Sequence, residues 1–181
     1  MTAETTLGLD TDALYRELFT PLFRYVFFRT RDYDLACDLT QTSFLKFLSH
    51  DHADLSPEHA QKRLFVIARN ALIDHWRAAP TLRTEVRDDL DTFSTAVVDA
   101  ETALITADDQ RFVQELLAGL SEREAEIVSM RLADDVSYAT IAAVLDLAEA
   151  NVRQIYSRAL SKLRARVEEE SFAIKLYGTT R

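Results

Sequence analysis

Polar and cationic residues recur on one side of a helical pattern between residues 151 and 166. This span contains five basic residues and no acidic residue, in a chain whose net charge is −9. Its polar side carries Asn151, Arg153, Gln154, Ser157, Arg158 and Lys162. Amide, hydroxyl and cationic groups on one helix face can hydrogen-bond base edges and phosphate oxygens of DNA. The local reversal of charge therefore indicates a nucleic-acid-binding face.

Two helical patterns separated by a short break position this face. In the first pattern, apolar residues follow Ser137 at the spacing of one helix stripe, and the Ser137 hydroxyl is suited to cap the first free amides. The break is Asp146-Leu147-Ala148. The second pattern places Val152, Ile155, Tyr156, Ala159 and Leu163 on the side opposite the polar residues. Two helices joined by a tight turn, the second with a cationic outer face, predict a helix-turn-helix.

Composition bounds the fold and the class of protein. The chain has 181 residues, of which 48% are hydrophobic, with only 3 Gly and 3 Pro. Long stretches follow the 3.6-residue period and none alternates convincingly, so we predict an all-α fold with one domain or two small ones. Cys37 is the single cysteine, which excludes an intrachain disulfide and fits a reducing cytoplasm. We expect neither a signal peptide nor a membrane span, since no run approaches ~20 apolar residues.

The N-terminal part of the chain predicts three helices. The first covers residues 11–30 and contains Pro21, which is expected to kink or split it. The second covers 33–49, and residues 50–57 form a loop. The third begins at Pro57, with Ser56 as its cap, and runs to about residue 79. A polar stripe on the third helix contains Arg63, Asn70, Asp74 and Arg77.

An acidic segment separates these helices from a second helical region. From 85 to 109 the chain has eight acidic residues and one basic residue, so we interpret 81–107 as a linker. The second domain is predicted to start near 108, with a helix that ends at Gly119. Ser121 and Glu124 have the spacing of a capping box, which opens a helix ending near Leu132. Residues from 168 onward are predicted to be a frayed helix end followed by disorder.

Three stretches together resemble one family of proteins. DLACDLTQTSFLKFL is followed closely by LFVIARNALIDHWR, and LSEREAEIVSMRL precedes the helix-turn-helix. In this order and spacing, they resemble bacterial sigma factors of the extracytoplasmic-function (group 4) type, over roughly residues 11–79 and 108–166. The resemblance implies two helical domains joined by a linker. The predicted boundaries are 1–80 for sigma region 2, 81–107 for the acidic linker, 108–167 for sigma region 4 and 168–181 for the tail.

The resemblance also implies partners and roles for the polar faces. Helix 33–49 would dock on core RNA polymerase through Asp34, Asp38, Gln41 and Lys46. The third helix would bind the promoter −10 element through Lys62, Arg63, Arg69, Asn70 and Arg77, and the 50–57 loop would capture a flipped base. The helix-turn-helix would bind the −35 element, with Asn151, Arg153 and Gln154 facing bases and Ser157, Arg158 and Lys162 contacting phosphates. An anti-sigma factor is expected as a further partner.

Other interpretations remain open at several positions. The polar face of 33–49 could be a solvated helix surface, Asp74 could be structural, and Arg158 could form an ion pair inside its own domain. The linker could thread through a cationic polymerase channel or act as a plain tether. The whole chain could be a decoy that binds an anti-sigma factor, or an ordinary helix-turn-helix regulator.

An enzyme is disfavoured by the residues present. The four histidines, His50, His52, His59 and His75, have no credible partners for a metal site, and no nucleophile or phosphate-loop motif occurs. We therefore expect no catalytic residue, metal or cofactor.

The chain also departs from the family pattern near the turn. Asp135, Asp146 and Ala150 stand where glycine is common, and Asp tolerates a left-handed backbone better than most residues. Ala148 replaces a capping serine.

Overall fold

Six helices account for the regular structure of the described residues, and no strand occurs among them. The computed structural model describes residues 10–50, 55–78, 119–134 and 136–177, with side chains as far as Glu168. The helices are α1 (Thr11–Thr30), α2 (Tyr33–Leu48), α3 (Pro57–Ala78), α4 (Glu122–Asp134), α5 (Tyr138–Leu145) and α6 (Glu149–Tyr177). The predicted all-α class is confirmed.

Side-chain caps and a left-handed turn define the ends of α1 and α2. The Asp10 carboxylate accepts hydrogen bonds from the amides of Asp12 and Ala13, at 3.1 and 3.0 Å, at the start of α1. Arg31 ends α1 with φ of 61°, and its N–H donates to the Phe27 carbonyl. One residue later, the Asp32 carboxylate accepts from the Leu35 amide at 3.0 Å and opens α2. This arrangement joins the two helices through only two residues.

The expected division of α1 at Pro21 does not occur. The helix continues through Pro21, which is itself buried. A proline inside a helix removes one backbone hydrogen bond, a loss that packing of the surrounding turns can offset. Leu18 and Leu22, on either side of Pro21, are 3% and 0% exposed, so this part of α1 lies deep in the core.

The described residues fall into two compact units. The first contains α1–α3 together with residues 129–149, and the second contains residues 119–128 and 150–177 among those described. The predicted boundaries at 80, 107 and 167 stay predictions, since residues 79–118 lie outside the described part of the chain. The predicted helix that would end at Gly119 lies outside it as well.

The core of the first unit forms where α1, α2 and α3 pack against one another. Tyr25, Phe47 and Phe65 are fully buried, and the rings of Tyr25 and Phe65 lie 5.5 Å apart. Full burial of one large apolar side chain contributes about 1.5–3 kcal/mol. Within this unit α3 also packs against α5. The apolar side of α3 is buried at Ala60, Leu64, Ala68 and Ala71, and Ile67 on the same side is half-buried.

Buried residues of the second unit come from α4 and α6. Ala125, Ile127 and Val128 are buried on α4, and Val152 and Ala159 on α6. The helix α6 extends to Tyr177, so residues 168–177 of the predicted tail are helical. The prediction of a helix that frays from residue 168 therefore made α6 too short.

Candidate functional site

The turn between α5 and α6 has the local structure that the sequence predicts. The Ser137 hydroxyl accepts from the Thr140 amide at 3.0 Å and caps α5. Asp146 ends α5 in the left-handed region, with φ of 54° and ψ of 52°. Its own N–H and that of Leu147 both donate to the Ala142 carbonyl. Aspartate thus takes the left-handed position at which glycine is the usual residue.

The polar face of α6 is distinct from its apolar face. Val152 and Ala159 are 0% exposed, and Ile155, Tyr156 and Leu163 are half-buried. All six predicted DNA-binding residues are exposed, namely Asn151, Arg153, Gln154, Ser157, Arg158 and Lys162.

These six residues cover about half of the circumference of α6. At about 100° per residue, Asn151, Arg158 and Lys162 form one row along the helix. Gln154, Ser157 and Arg153 lie progressively further around the helix from this row, all in the same direction. Arg153 is almost half a turn away from the row. The face therefore offers hydrogen-bonding groups over a broad arc.

Lys162 has a protein partner that the sequence does not indicate. Its Nζ lies 2.7 Å from Oε1 and 2.9 Å from Oε2 of Glu124. Oε2 also accepts from the backbone N–H and the hydroxyl of Ser121, both at 2.9 Å. The predicted capping box is therefore present. Hydrogen bonds from Lys162, followed by those from Ser121, hold the pKa of the Glu124 carboxyl below its usual value.

Arg131 makes a second set of contacts that sequence reasoning missed. Its Nη1 donates to the Val136 carbonyl at 2.8 Å, and its Cζ lies 4.6 Å from the centroid of the Tyr138 ring. The side chain thereby spans the connection between α4 and α5. One indication of this contact is present in the sequence. Arg131 lies in the last turn of its helix, where a basic side chain can reach carbonyl groups that have no partner within the helix.

The exposed face of α2 combines acidic and apolar residues. Asp34, Asp38 and Gln41 are exposed and lie on one row. The same row continues, at alternating steps of four and three residues, to Leu45 and Leu48, which are 68% and 46% exposed. Such a row follows one side of a helix and matches the contact line of a helix that packs along another helix. We call these five residues the docking row.

Lys46 does not share this row. It is exposed but turned about 100° from Leu45. Its carbonyl accepts from the Ser49 hydroxyl at 2.9 Å, at the end of α2.

An aromatic residue of α1 extends the apolar part of this surface. Tyr15 is 40% exposed, and its ring lies 4.8 Å from that of Phe44 and 5.1 Å from that of Phe19. Phe44 lies one turn before Leu48 on α2, so Tyr15 borders the docking row on that side.

The predicted −10 residues lie on the outer side of α3 with different exposures. Lys62, Asn70 and Arg77 are exposed, whereas Arg63 and Arg69 are half-buried. The Ser56 hydroxyl hydrogen-bonds the His59 ring at 2.7 Å at the start of the helix. Most of the loop predicted to capture a base, residues 51–54, lies outside the described residues.

The end of α3 also carries an aromatic contact that the sequence did not indicate. The Arg29 guanidinium of α1 lies over the Trp76 ring, 5.0 Å from its centroid. Trp76 is half-buried and follows Lys62 and Arg69 at steps of seven residues along the same side of α3.

Two negative findings concern the described residues alone. None of their His, Cys, Asp and Glu side chains form a group of three that could hold a metal ion. Their helices include none that is both long enough and apolar enough to cross a bilayer.

Comparison with known proteins finds similarity to RNA polymerase sigma factors. The family description "Sigma-70, region 4" matches residues 116–165, which contain α4, α5 and the polar face of α6. The chain is 28% identical over 165 residues to the ECF RNA polymerase sigma factor SigM of Bacillus subtilis (strain 168), covering 87% of this chain and 94% of SigM. It is 37% identical over 120 residues to the RNA polymerase sigma-C factor of Nostoc sp. (strain PCC 7120), covering 61% of this chain and 27% of that protein.

Solved structures show the same fold. The structure of CnrH in complex with the cytosolic domain of CnrY aligns with a TM-score of 0.62 at 19% identity, covering 88% of each chain. The sigma factor RpoE from Bartonella quintana, in complex with the anti-sigma factor NepR, aligns with a TM-score of 0.62 at 22% identity, covering 88% of this chain and 97% of RpoE. Sequence similarity along most of the chain and the region 4 match at the helix-turn-helix agree with this fold. Residues 116–165 therefore match sigma-70 region 4, and most of the chain is similar to an RNA polymerase sigma factor of the extracytoplasmic-function type.

Proposed function

We propose that this chain is a sigma factor of the extracytoplasmic-function type, which functions in transcription initiation and divides promoter recognition between three helices. The docking row of α2 binds core RNA polymerase, the outer side of α3 binds the −10 element, and the polar face of α6 reads the −35 element. The observation that carries the proposal is the face of α6. All six of its predicted DNA-binding residues are exposed, and the apolar residues on its other side are buried or half-buried.

The chemistry of α6 supports reading bases in the major groove. Asn151 and Gln154 offer amides of the kind that pair with adenine, and Arg153 offers a guanidinium for guanine. Ser157 and Arg158 are proposed to lie towards the phosphates, which set the register of the helix on DNA. Lys162 was predicted to contact a phosphate as well, but its ammonium is bound to Glu124, with 2.7 Å between Nζ and Oε1.

The docking row supports binding to an elongated apolar and basic partner. Exposed leucines are costly in water, and 68% exposure at Leu45 leaves most of its side chain uncovered. Asp34 and Asp38 at the other end of the row supply negative charge that would fix the register of a partner helix. A combination of buried leucines and flanking charge pairs is typical of helix-to-helix docking. Lys46, turned away from the row, is proposed to contact the polymerase at its margin.

The outer side of α3 supports contact with a separated DNA strand. Lys62, Arg69 and Arg77 supply positive charge along the helix, and the half-buried Arg63 and the exposed Asn70 lie between them. A single strand is bound by cations that follow its backbone and by aromatic rings that stack on its bases. The domain boundaries given above, the acidic linker at 81–107 and base capture by the 50–57 loop belong to this proposal.

Partners and location follow from the same proposal. The two solved relatives described above are complexes, one with the CnrY cytosolic domain and one with the anti-sigma factor NepR. We propose that this chain also binds an anti-sigma factor, in addition to core polymerase and promoter DNA. It acts in the cytoplasm, where the polymerase and the chromosome are, and it is not an enzyme and uses no cofactor.

Transcription in vitro tests the proposal. Fragments of genomic DNA are transcribed by purified core polymerase with and without the protein, and the 5′ ends of the transcripts are mapped. We expect new start sites that share −10 and −35 sequences. Stable binding to the core without new start sites would contradict the proposal and favour a decoy that only binds an anti-sigma factor. Absence of core binding would favour an ordinary DNA-binding regulator.

A further inference from the structure

The Glu124 carboxylate is held by three donors from α6 and from the turn before α4. Lys162 Nζ approaches both of its oxygens, at 2.7 and 2.9 Å, and the N–H and hydroxyl of Ser121 reach Oε2. The Glu124 side chain is 11% exposed, whereas that of Lys162 is 53% exposed. A carboxylate with donors on both oxygens is fixed in position and orientation. The Glu124 carboxylate therefore has a fixed position at the start of α4. Its ion pair with Lys162, which we call the tie, joins this position to α6.

The tie fixes α6 at the end of its DNA-facing row. Lys162 follows Asn151 and Arg158 on that row, at steps of seven and four residues. Eleven residues of helix correspond to about 16 Å, so the tie acts about three turns beyond Asn151. A restraint near the far end of a helix limits its rotation about its axis, in addition to the packing of Val152 and Ala159. Small rotations matter here, because base readout by amides and guanidinium groups depends on direction as well as distance.

A second contact lies near the same end of α6. A Cβ at Gly119 would overlap the guanidinium of Arg166, so the Arg166 side chain runs closely over Gly119. Arg166 follows Lys162 by four residues on α6, and Gly119 precedes Ser121 by two residues. Two of the five cations between 151 and 166 are therefore directed at the start of α4 and the turn before it.

We infer that Glu124 is a positioning residue for −35 recognition, which it serves by holding Lys162 as a fixed anchor of α6. Lys162 is then not a phosphate contact. If it moved to a phosphate, the almost buried Glu124 carboxylate would keep only Ser121 as a partner, and leaving a buried charge without its counter-charge is costly. A phosphate contact by Lys162 would release a counterion from DNA, but it would have to offset this cost. This inference rests on the proposed role of α6.

The test measures binding of the complete holoenzyme to promoter DNA. The probe is a promoter recovered by the transcription experiment, compared with the same DNA carrying a scrambled −35 element. The variants are Glu124→Gln, Lys162→Met, their combination and Lys162→Arg. Glutamine keeps a capping oxygen, so Glu124→Gln removes the charge and leaves the cap. Circular dichroism at the assay temperature verifies that each variant is folded. Where Lys162→Met fails to fold, Glu124→Gln and Lys162→Arg carry the test.

We expect Glu124→Gln and Lys162→Met each to reduce discrimination between the two DNAs by on the order of tenfold. The double variant should lose no more than either single variant, and Lys162→Arg should retain discrimination. The slope of log K against log salt concentration should stay that of the unaltered protein. A slope shallower by about 0.9 in Lys162→Met, with tighter binding by Glu124→Gln, would show a phosphate contact and overturn the inference. Unchanged discrimination in Glu124→Gln would also overturn it. Failure of the unaltered holoenzyme to discriminate would instead contradict the proposed role of α6 itself.

Discussion

The guanidinium of Arg131 stacks on the ring of Tyr138, with Cζ 4.6 Å from the ring centroid. The same side chain donates from Nη1 to the Val136 carbonyl at 2.8 Å. Arg131 lies in the last turn of α4, and Tyr138 is the first residue of α5. One planar side chain therefore joins the end of one helix to the start of the next and satisfies a carbonyl in the connection between them.

Arg131→Lys should destabilise this connection while keeping the charge. A lysine cannot stack a planar group on Tyr138 and donate to Val136 at once, so the expected loss is about 1–2 kcal/mol in the free energy of unfolding. Thermal unfolding followed by circular dichroism measures it. Arg123→Lys is the matched control, because the Arg123 side chain is 46% exposed and 3.8 Å from Glu126. Equal melting temperatures for both variants would show that Arg131 does not stabilise the connection.

Stability should depend on the charge of Glu124 in acid. Hydrogen bonds from Lys162 and Ser121 lower the folded-state pKa of this carboxyl from an ordinary value of 4.5. Its contribution is therefore present above pH 4.5 and is lost as the pH falls through the lowered folded pKa. Glu124→Gln should melt a few degrees below the unaltered protein at pH 7, and the gap should close on acidification. Glu122→Gln, an exposed carboxylate in the same turn, is the control. A difference in melting temperature that stays constant with pH would contradict the lowered pKa of Glu124 in the folded protein.

Leu45→Gln should weaken binding to core polymerase without affecting the fold. Leu45 is 68% exposed, so its replacement removes little packing within the chain. If the docking row is the polymerase interface, loss of a central leucine should reduce affinity by roughly tenfold or more. Biolayer interferometry with purified core measures the change. Arg16→Gln on the exposed side of α1 should bind as the unaltered protein does, and the same loss in both variants would place the interface elsewhere.

Arg153→Ala and Gln154→Ala should impair initiation that depends on the −35 element and leave core binding intact. Loss of one good base contact corresponds to about 1–3 kcal/mol, or roughly 5- to 150-fold. Run-off transcription on promoters with intact and scrambled −35 sequences measures it. Arg164→Ala is the matched control, since it removes the same charge about 16 Å further along α6. Reduced core binding in the Arg153 or Gln154 variants would mean that the DNA face is misplaced.

The effect of substituting Asp146 on stability should depend on its left-handed backbone conformation. At φ of 54° a glycine has no Cβ to clash, so Asp146→Gly should raise stability by about 0.5–1 kcal/mol. Asp146→Ala should lower it by about 1 kcal/mol, because alanine meets the full cost of the left-handed conformation without a compensating side chain. Denaturant unfolding of the two variants gives the comparison. Alanine more stable than glycine at this position would contradict the left-handed conformation.

Local features were predictable from the sequence, whereas contacts between distant residues were not. The capping box of Ser121 and Glu124, the cap at Ser137 and the break at Asp146 depend on residues within four positions of one another, and each is confirmed. The two faces of α6 follow from its period. The ion pair between Glu124 and Lys162 joins residues 38 positions apart. The period of hydrophobic residues along a helix does not predict a contact between residues so far apart.

Two further features depend on packing that a single sequence does not specify. Leucines usually belong to the core, but Leu45 and Leu48 are exposed. The continuity of α1 through Pro21 depends on how α2 and α3 surround it. The roles assigned to α2, α3 and α6 in binding polymerase and DNA remain predictions that the experiments above address.

Uncovered leucines on the docking row also affect how the free protein behaves in concentrated solution. An exposed apolar surface can meet the same surface on a second copy, and mutual repulsion opposes such encounters. The net charge of −9 provides that repulsion near neutral pH, and it vanishes at the isoelectric point near 4.9. The acidic character of the chain thus has a colloidal role. It keeps molecules apart although Leu45 and Leu48 are exposed on each of them.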